Sequence, residues 1–380
     1  MYPASLTKIV TAMVTLNNVS NLQEEVTVSE NAFNILLGTG AQVAGLEIGD
    51  TLTVEQLLYL TMVHSACDAT EVLAEYVGGT RENFVKMMND YAASLGCTNT
   101  NFENPDGLHD DNHYTTASDL AKITLDALKN STFTKIAYTV EYEYNGQNYY
   151  NTNLMLRRGY LSYYYEYAKG IKTGSTSEAG YCVITTASKD GYNYLAIVLG
   201  APVIDYNNDG YVEKCSFIDA ATLFKWAFGS LKYSTVIEKN EVIDEVAVKN
   251  GKDADTLRLV AGEDVTAIVP NGLDRSNIVI KVKDKPAEVN APVEKGDPIC
   301  TADIIYADQV VAEVQLVAAD TVELSTFLTV VNAIKDFFSL TAVKVVIVVV
   351  VLGAAVYIGL FIYKANKKKT KKRSADDGEE

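Results

Sequence analysis

The sequence predicts an α+β fold, a helical cluster on an antiparallel sheet, followed by a small all-β domain and a C-terminal transmembrane helix. Three observations predict it. Helical periodicities fill the chain from Ser5 to Leu128, and two adjacent β patterns, Gly180–Ser188 and Tyr192–Leu199, follow. Short β-rich runs broken by Gly, Asp, Asn and Pro extend to about Val322. Val345–Tyr363 is an unbroken apolar run.

The helices come first. Pro3 marks a start, and Leu6, Ile9, Val10, Met13 and Val14 recur at helical spacing, so Ser5–Asn17 reads as a buried helix with Ser5 at its N-terminal end. Thr53 with Gln56 three residues on makes a capping box for a helix to Val63, which delivers His64 and Ser65 at its end. Helical patterns continue over Asp68–Val77 and Thr80–Leu95, Asn104-Pro105-Asp106-Gly107 reads as a loop, and Ser118-Asp119 caps a helix to Leu128. Ala137–Asn145 and Gln147–Leu156 read as extended, and a tyrosine-rich stretch leads to Gly170. Lys189-Asp190-Gly191 is a hairpin turn between the two β patterns, and Cys215–Phe228 is a last helix before a boundary near Thr235. In the β-rich part the strand candidates are Val242–Val248, Ala261–Ile268, Ile278–Val282 and Gln309–Leu316.

The resulting organisation is a first domain over 1–234, a β-rich domain over 235–322, a juxtamembrane segment over 323–344, a transmembrane helix over 345–363 and a basic tail over 364–380. At about 1.5 Å per residue the apolar run nearly matches a hydrocarbon layer of about 30 Å. Lys364 and the basic residues to Arg373 follow it directly, which by the positive-inside rule makes the tail cytoplasmic and the rest external. Thr326–Phe338 has the apolar spacing of an amphipathic helix resting on the outer leaflet.

The 380 residues are 48% hydrophobic and 21% charged, which is globular rather than disordered. The net charge is −17, and with seven basic and four acidic residues in 364–380 the remainder carries about −20, which argues against nucleic-acid binding. Five cysteines, an odd count without CxxC spacing, suggest buried thiols and neither a disulfide framework nor a zinc site. The start at Met1 lacks the basic and apolar regions of a secretory signal, so the expectation is an N-terminally truncated chain.

Chemistry concentrates in Ser5-Leu6-Thr7-Lys8, Ser65-Ala66-Cys67 and Lys172-Thr173-Gly174. A serine hydroxyl needs a base within hydrogen-bond reach, and Lys8, one helical turn on, shares a face with Ser5. Ser65 offers a second hydroxyl to relay the proton to a leaving amine. Lys172 and Thr173 offer charge and a hydroxyl to a substrate carboxylate, and Gly174 lets a substrate backbone lie against the strand. The amides of Ser5 and Ser175 are the expected oxyanion site. Each string alone commonly decorates a helix or ends a strand, but their order and spacing match an active-site serine enzyme that attacks acyl-D-alanine or β-lactam carbonyls.

With the flanking stretches PASLTKIVTAM, LTVEQLLYLTMVHSACDATEVLAEYVGG, NPDGLHDDNHYTTASDLA and GIKTGSTSEAGYCVITTA, the chain resembles the low-molecular-mass penicillin-binding proteins, the serine-type D-alanyl-D-alanine carboxypeptidases. The resemblance covers Tyr2 to about Ala201 and, more weakly, the β-rich part to about Ala318. It implies a β-lactamase/DD-peptidase-like domain, with Ser5 as acylated nucleophile, Lys8 as base, Ser65 as proton relay, and Lys172 with Thr173 as carboxylate binder. The implied substrate is a peptidoglycan stem peptide ending in D-Ala-D-Ala, with β-lactams as inhibitors, no cofactor and no metal. One departure is Cys67, where the family's second motif usually ends in Asn; it puts substrate orientation and the balance of hydrolysis with transpeptidation in question. The alternatives are an idle stem-peptide binder, a transpeptidase and a Cys67 thiol nucleophile.

Other candidates carry less. His64, His109 and His113 are too few and wrongly spaced for a metal and read as structural, and His64-Ser65 with Asp68 cannot easily align as a triad on one helix end. Asp205–Gly210 begins like a calcium loop but has Ser216 at its twelfth position and reads as a surface turn. No Glu-x-x-Leu-Asn string lies between Ser65 and Lys172, so slow deacylation of penicillin is expected.

Overall fold

The computed structural model describes residues 1–205, 208, 210 and 212–376. The proposed turn at Asp205–Gly210 lies in part outside the described residues, as do the last four residues of the tail. The chain divides into two compact units, Met1–Ser230 and Leu231 onward.

In the first unit a 3₁₀ turn, Ala4–Thr7, runs into helix α1 (Lys8–Asn18). Residues Lys8 to Thr15 of α1 are all buried, so this helix is enclosed all round instead of presenting one apolar stripe. Its polar side chains are accounted for internally: Thr11 Oγ1 donates to Pro105 O at 2.5 Å and Thr15 Oγ1 to Thr11 O at 2.9 Å. Around it pack α3 (Cys67–Gly78), α4 (Arg81–Ser94), α5 (Ala117–Ala127) and α6 (Ser131–Ala137), and α2 (Val54–Tyr59) packs on α3 and α6. A short helix, Glu30–Asn34, packs on α3. The capping box of α2 is present: Gln56 N donates to Thr53 Oγ1 at 3.2 Å and Thr53 N to Gln56 Oε1 at 2.8 Å. Strands β1 (Ala168–Thr176), β2 (Gly180–Lys189) and β3 (Tyr192–Ala201) form an antiparallel sheet in that order. Helix α7 (Cys215–Ser230) covers β2 and β3 with Phe217, Ala220 and Phe224 buried against Met155 and Val183.

Several local expectations are corrected. The cap of α5 is Thr116, whose Oγ1 accepts from Asp119 N; the Asp119 carboxylate is drawn away to Asn99 N and Thr100 Oγ1. Ser131–Ala137 is helical under an Asn130 cap, so extended chain is confined to the ribbon Glu141–Tyr144 with Gln147–Tyr150. Leu154–Leu156 is a 3₁₀ turn held by Asn153, whose Oδ1 accepts from Met155 N at 3.0 Å.

In the second unit β4 (Leu231–Ile237) begins at once and pairs with β7 (Val265–Pro270), so these residues precede the expected boundary at Thr235 yet belong to this unit. The remaining strands are β5 (Val242–Lys249), β6 (Thr256–Ala261), β8 (Val279–Lys283), β9 (Glu288–Asn290), β10 (Pro298–Tyr306) and β11 (Gln309–Ala318). They form one sheet in the order β8-β10-β11-β6-β5-β9. The single strand expected over Ala261–Ile268 is broken at Gly262–Asp264 into the ends of β6 and β7. β10 escaped the sequence pattern because its inward residues include the small Cys300 and Ala302, while outward Asp303 pairs with Lys283. Helix α8 (Thr326–Ser339) follows, with Phe327, Ile334, Phe337 and Phe338 exposed. Helix α9 (Thr341–Asp376) contains, over Thr341–Lys364, one stretch long and apolar enough to cross a membrane, at a mean hydropathy of 3.0. All five cysteines are buried free thiols.

Candidate active site

The 3₁₀ turn changes how Ser5 meets Lys8. Ser5 lies in the tighter turn ahead of α1, closed by Leu6 N donating to Pro3 O at 3.2 Å and Thr7 Oγ1 to Ala4 O at 2.8 Å. Thr7 Oγ1 has thereby spent its proton, so it accepts from His113 Nε2 at 2.8 Å, while His113 Nδ1 accepts from Glu103 N at 3.3 Å. This ring is neutral; burial pushes it down to about 4. His113 thus pins the serine turn, a structural role as the sequence suggested.

Lys8 is fully buried, and its ammonium has three acceptors: Ser5 Oγ at 3.2 Å, Cys67 Sγ at 3.3 Å and Asp106 O at 2.5 Å. Ser65 is delivered differently from the expected helix end. After α2 the chain widens into a π turn, Leu60–His64, and Ser65 takes a left-handed conformation at φ 66°, uncommon for a residue with a side chain. That reversal lets α3 start at Cys67, whose amide donates to Gln42 O at 2.7 Å. Asp68, one residue on, accepts from the amides of Ala44, Gly45 and Leu46, which ties the 42–46 loop beside the site. Burial pushes the Cys67 thiol up, against a thiolate nucleophile.

On the other wall, Lys172 of β1 is wholly buried and donates to Thr173 O at 2.9 Å. Burial first, then the neighbouring Lys8 charge, hold its ammonium well below the usual lysine range. Thr173 Oγ1 donates to Thr152 Oγ1 at 2.6 Å. Gly174 serves the fold here: a Cβ on it would sit 2.9 Å from both Pro3 O and Ser5 N. Gly107, at φ +84°, packs closer still, with a Cβ position only 1.9 Å from Ala4 O. A glycine of β1 and a glycine of the Asn104–Gly107 turn, distant in sequence, therefore both pack against the serine turn.

These elements enclose one cleft of about 660 Å³, lined by Ser5, Ser65, Cys67, Thr173, Gly174 and Ser175 among others. Lys8 and Lys172 lie beneath its surface and are not on its wall. Sequence reasoning missed Asp106, Gly107 and Thr152. Asn104–Gly107 read only as a turn, and Thr152 sits in a tract with no motif. His64 packs edge-on against Tyr149 at 5.0 Å and forms no series with Asp68, whose carboxylate is occupied by the loop amides. Among the described residues no group of three or more His, Cys, Asp or Glu is arranged to hold a metal.

Comparisons with known proteins bear directly on this geometry. Residues 1–203 match the family described as D-alanyl-D-alanine carboxypeptidase, and residues 232–324 match the penicillin-binding protein 5 C-terminal domain. The D-alanyl-D-alanine carboxypeptidase DacF of Bacillus subtilis is 30% identical over 331 residues, covering 86% of this chain and 81% of its own length. Penicillin binding protein 5 of Haemophilus influenzae superposes with a TM-score of 0.62 at 26% identity, over 85% of this chain and 91% of that one. A Streptomyces DD-transpeptidase superposes with a TM-score of 0.54 at 32% identity, over 60% of this chain and 88% of that one. A buried lysine held against a serine in a cleft, on a fold shared over most of both chains, has one reading: this chain belongs to the D-alanyl-D-alanine carboxypeptidase family of serine peptidases, the low-molecular-mass penicillin-binding proteins.

Proposed function

We propose that this serine-type D-Ala-D-Ala carboxypeptidase removes the terminal D-alanine of peptidoglycan stem peptides through an ester on Ser5. The observation that carries the reading is the 3.2 Å contact between Lys8 Nζ and Ser5 Oγ at the cleft wall. Ser5 Oγ attacks the carbonyl between the two D-alanines and Lys8 takes the hydroxyl proton. Ser65 passes a proton to the departing amine, D-alanine leaves, and water then cleaves the ester. The Ser5 and Ser175 amides receive the carbonyl oxygen, and Thr173 receives the substrate carboxylate. Lys172, sunk beneath the wall, acts on that carboxylate from below. A β-lactam acylates Ser5 in the same way, but its leaving amine stays tethered in the cleft and blocks water.

On the membrane, α9 is the anchor, its basic end is cytoplasmic and the catalytic unit faces the cell wall. A fluorescent penicillin with peptide mass spectrometry tests the reading: the adduct belongs on Ser5, and Ser5→Ala abolishes both adduct and D-alanine release. Undiminished D-alanine release by Ser5→Ala overturns it. The likeness to a DD-transpeptidase favours a second reading, transfer of the acyl group to an amine, and added amine acceptor separates the two by product analysis.

A further inference from the structure

Behind the cleft, two carboxyl groups that the mechanism does not use meet in the protein interior. Cys67 and Glu71 stand one turn apart on the same face of α3. Cys67 touches the Lys8 ammonium, and Glu71, one turn deeper, contacts the side chain of Asp106. Both acids are almost wholly enclosed, Glu71 at 3% and Asp106 at 1% exposure. Glu71 is gripped by Arg81 from the start of α4, whose Nε lies 3.2 and 3.1 Å from its two oxygens. Asp106 uses Oδ1 to accept from Leu108 N at 2.9 Å. Its Oδ2 is buried with no donor among the described residues.

Two carboxylates cannot satisfy each other, because each only accepts. One guanidinium cannot neutralise two buried negative charges, and an orphaned buried oxygen costs free energy. One proton between the acids removes both problems: it supplies the missing donor to Asp106 Oδ2 and leaves one charge for Arg81. Burial pushes the Glu71 carboxyl up to about 8, with the Asp106 charge adding to it.

The contact matters because of what Asp106 does with its backbone. Its carbonyl is the shortest contact of the Lys8 ammonium, and the next residue, Gly107, packs on the Ala4 carbonyl under Ser5. We propose that Glu71 and Asp106 share a single proton, and that this one-proton pair locks the Asn104–Leu108 turn onto α3 so that Asp106 O holds Lys8 beside Ser5. Glu71 is then a positioning residue, and the inference rests on the reading of Lys8 as the base for Ser5. Loss of the proton sets two negative charges against each other and pushes the turn off α3. The other ionisable groups near the pair are Lys8 on α1, Cys67 and Asp68 on α3, and His113, which feels the same Lys8 and Arg81 charges. His113 is neutral in the relevant range, Asp68 is committed to the 44–46 amides, and Cys67 remains a thiol.

The test uses the full chain and Glu71→Gln, an isostere of the protonated acid that cannot ionise. The rate of penicillin acylation is measured from pH 6 to pH 9 for both. At pH 6 the two agree within about twofold. By pH 9 a group ionising near 8 keeps its proton in about a tenth of molecules, so the wild-type rate relative to Glu71→Gln falls about tenfold. A ratio that stays flat across the range overturns the proposal, as does a loss in Glu71→Gln that is equally large at every pH. Infrared spectroscopy decides the shared proton independently of acylation. A protonated-carboxyl stretch present in the wild type at pH 6.5 and removed by Glu71→Gln supports the pair, and its absence refutes it. If Glu71→Gln does not fold, loss of the wild-type band with a midpoint near pH 8 takes its place. If penicillin labels no Ser5 in either protein, the nucleophile assignment fails while the infrared result still decides the pair.

Discussion

Lys8 is the residue on which most of the site converges: it reaches Ser5, Cys67 and the Asn104–Gly107 turn at once. Removing it as Lys8→Ala is expected to slow Ser5 acylation by about 10²–10⁴-fold, the range of a lost general base, with stopped-flow penicillin binding as the measure. Cys67 is less demanding. Its sulfur serves Lys8 only as a weak acceptor at 3.3 Å, and the other two acceptors are oxygens, so Cys67→Asn should leave acylation within about tenfold of wild type. A gain much larger than that in D-alanine release would mean that the cysteine impairs the enzyme. Glu71 also carries a stability prediction. Its folded value near 8 lies above the ordinary 4.5, so between those values the folded protein holds a proton that the unfolded chain has lost. Stability therefore falls as pH rises through that window and levels off above it. Thermal unfolding of Glu71→Gln should show an advantage over wild type that grows from pH 5 to pH 8.

At the scale of elements, the serine turn is held by what presses on it and not by its own helix. Gly107→Ala would place a methyl carbon 1.9 Å from Ala4 O in a left-handed backbone, so it should lower the melting temperature sharply and abolish penicillin labelling together. Thr53→Ala removes one half of a capping box remote from the cleft, and about 1 kcal/mol of stability with it. That variant should melt earlier in calorimetry yet label at the wild-type rate. The elements were unequally legible. The capping box, the hairpin at Asp190-Gly191 and the strong apolar periodicities read directly, because capping, turn chemistry and amphipathic spacing act within a few residues. Residues 131–136 carried no assignment and Ala137 read as extended, yet Ser131–Ala137 is helical, and the Ala4–Thr7 turn read as the start of α1; segments distant in sequence pack on both.

At the scale of the whole molecule, the sequence by itself determined the family, the order of the units and the apolar span. Three short motifs in sequence order, a β-rich second unit and an uninterrupted run of apolar residues are properties of one dimension. It also named Ser5, Lys8, Ser65, Cys67, Lys172, Thr173, Gly174 and Ser175 as candidates. Only the tertiary structure decided how those residues meet. It put Lys8 and Lys172 below the cleft wall, turned Ser65 through a left-handed residue, and gave Gly174 and Gly107 the task of flanking the serine turn. It also joined Glu71 to Asp106 across 35 positions of chain. The physical reason is that spacing along a helix or strand is local and leaves a repeating signature. A buried charge acquires its partner, its desolvation and its proton from whichever segments the fold packs around it, and none of these is written near it in the chain.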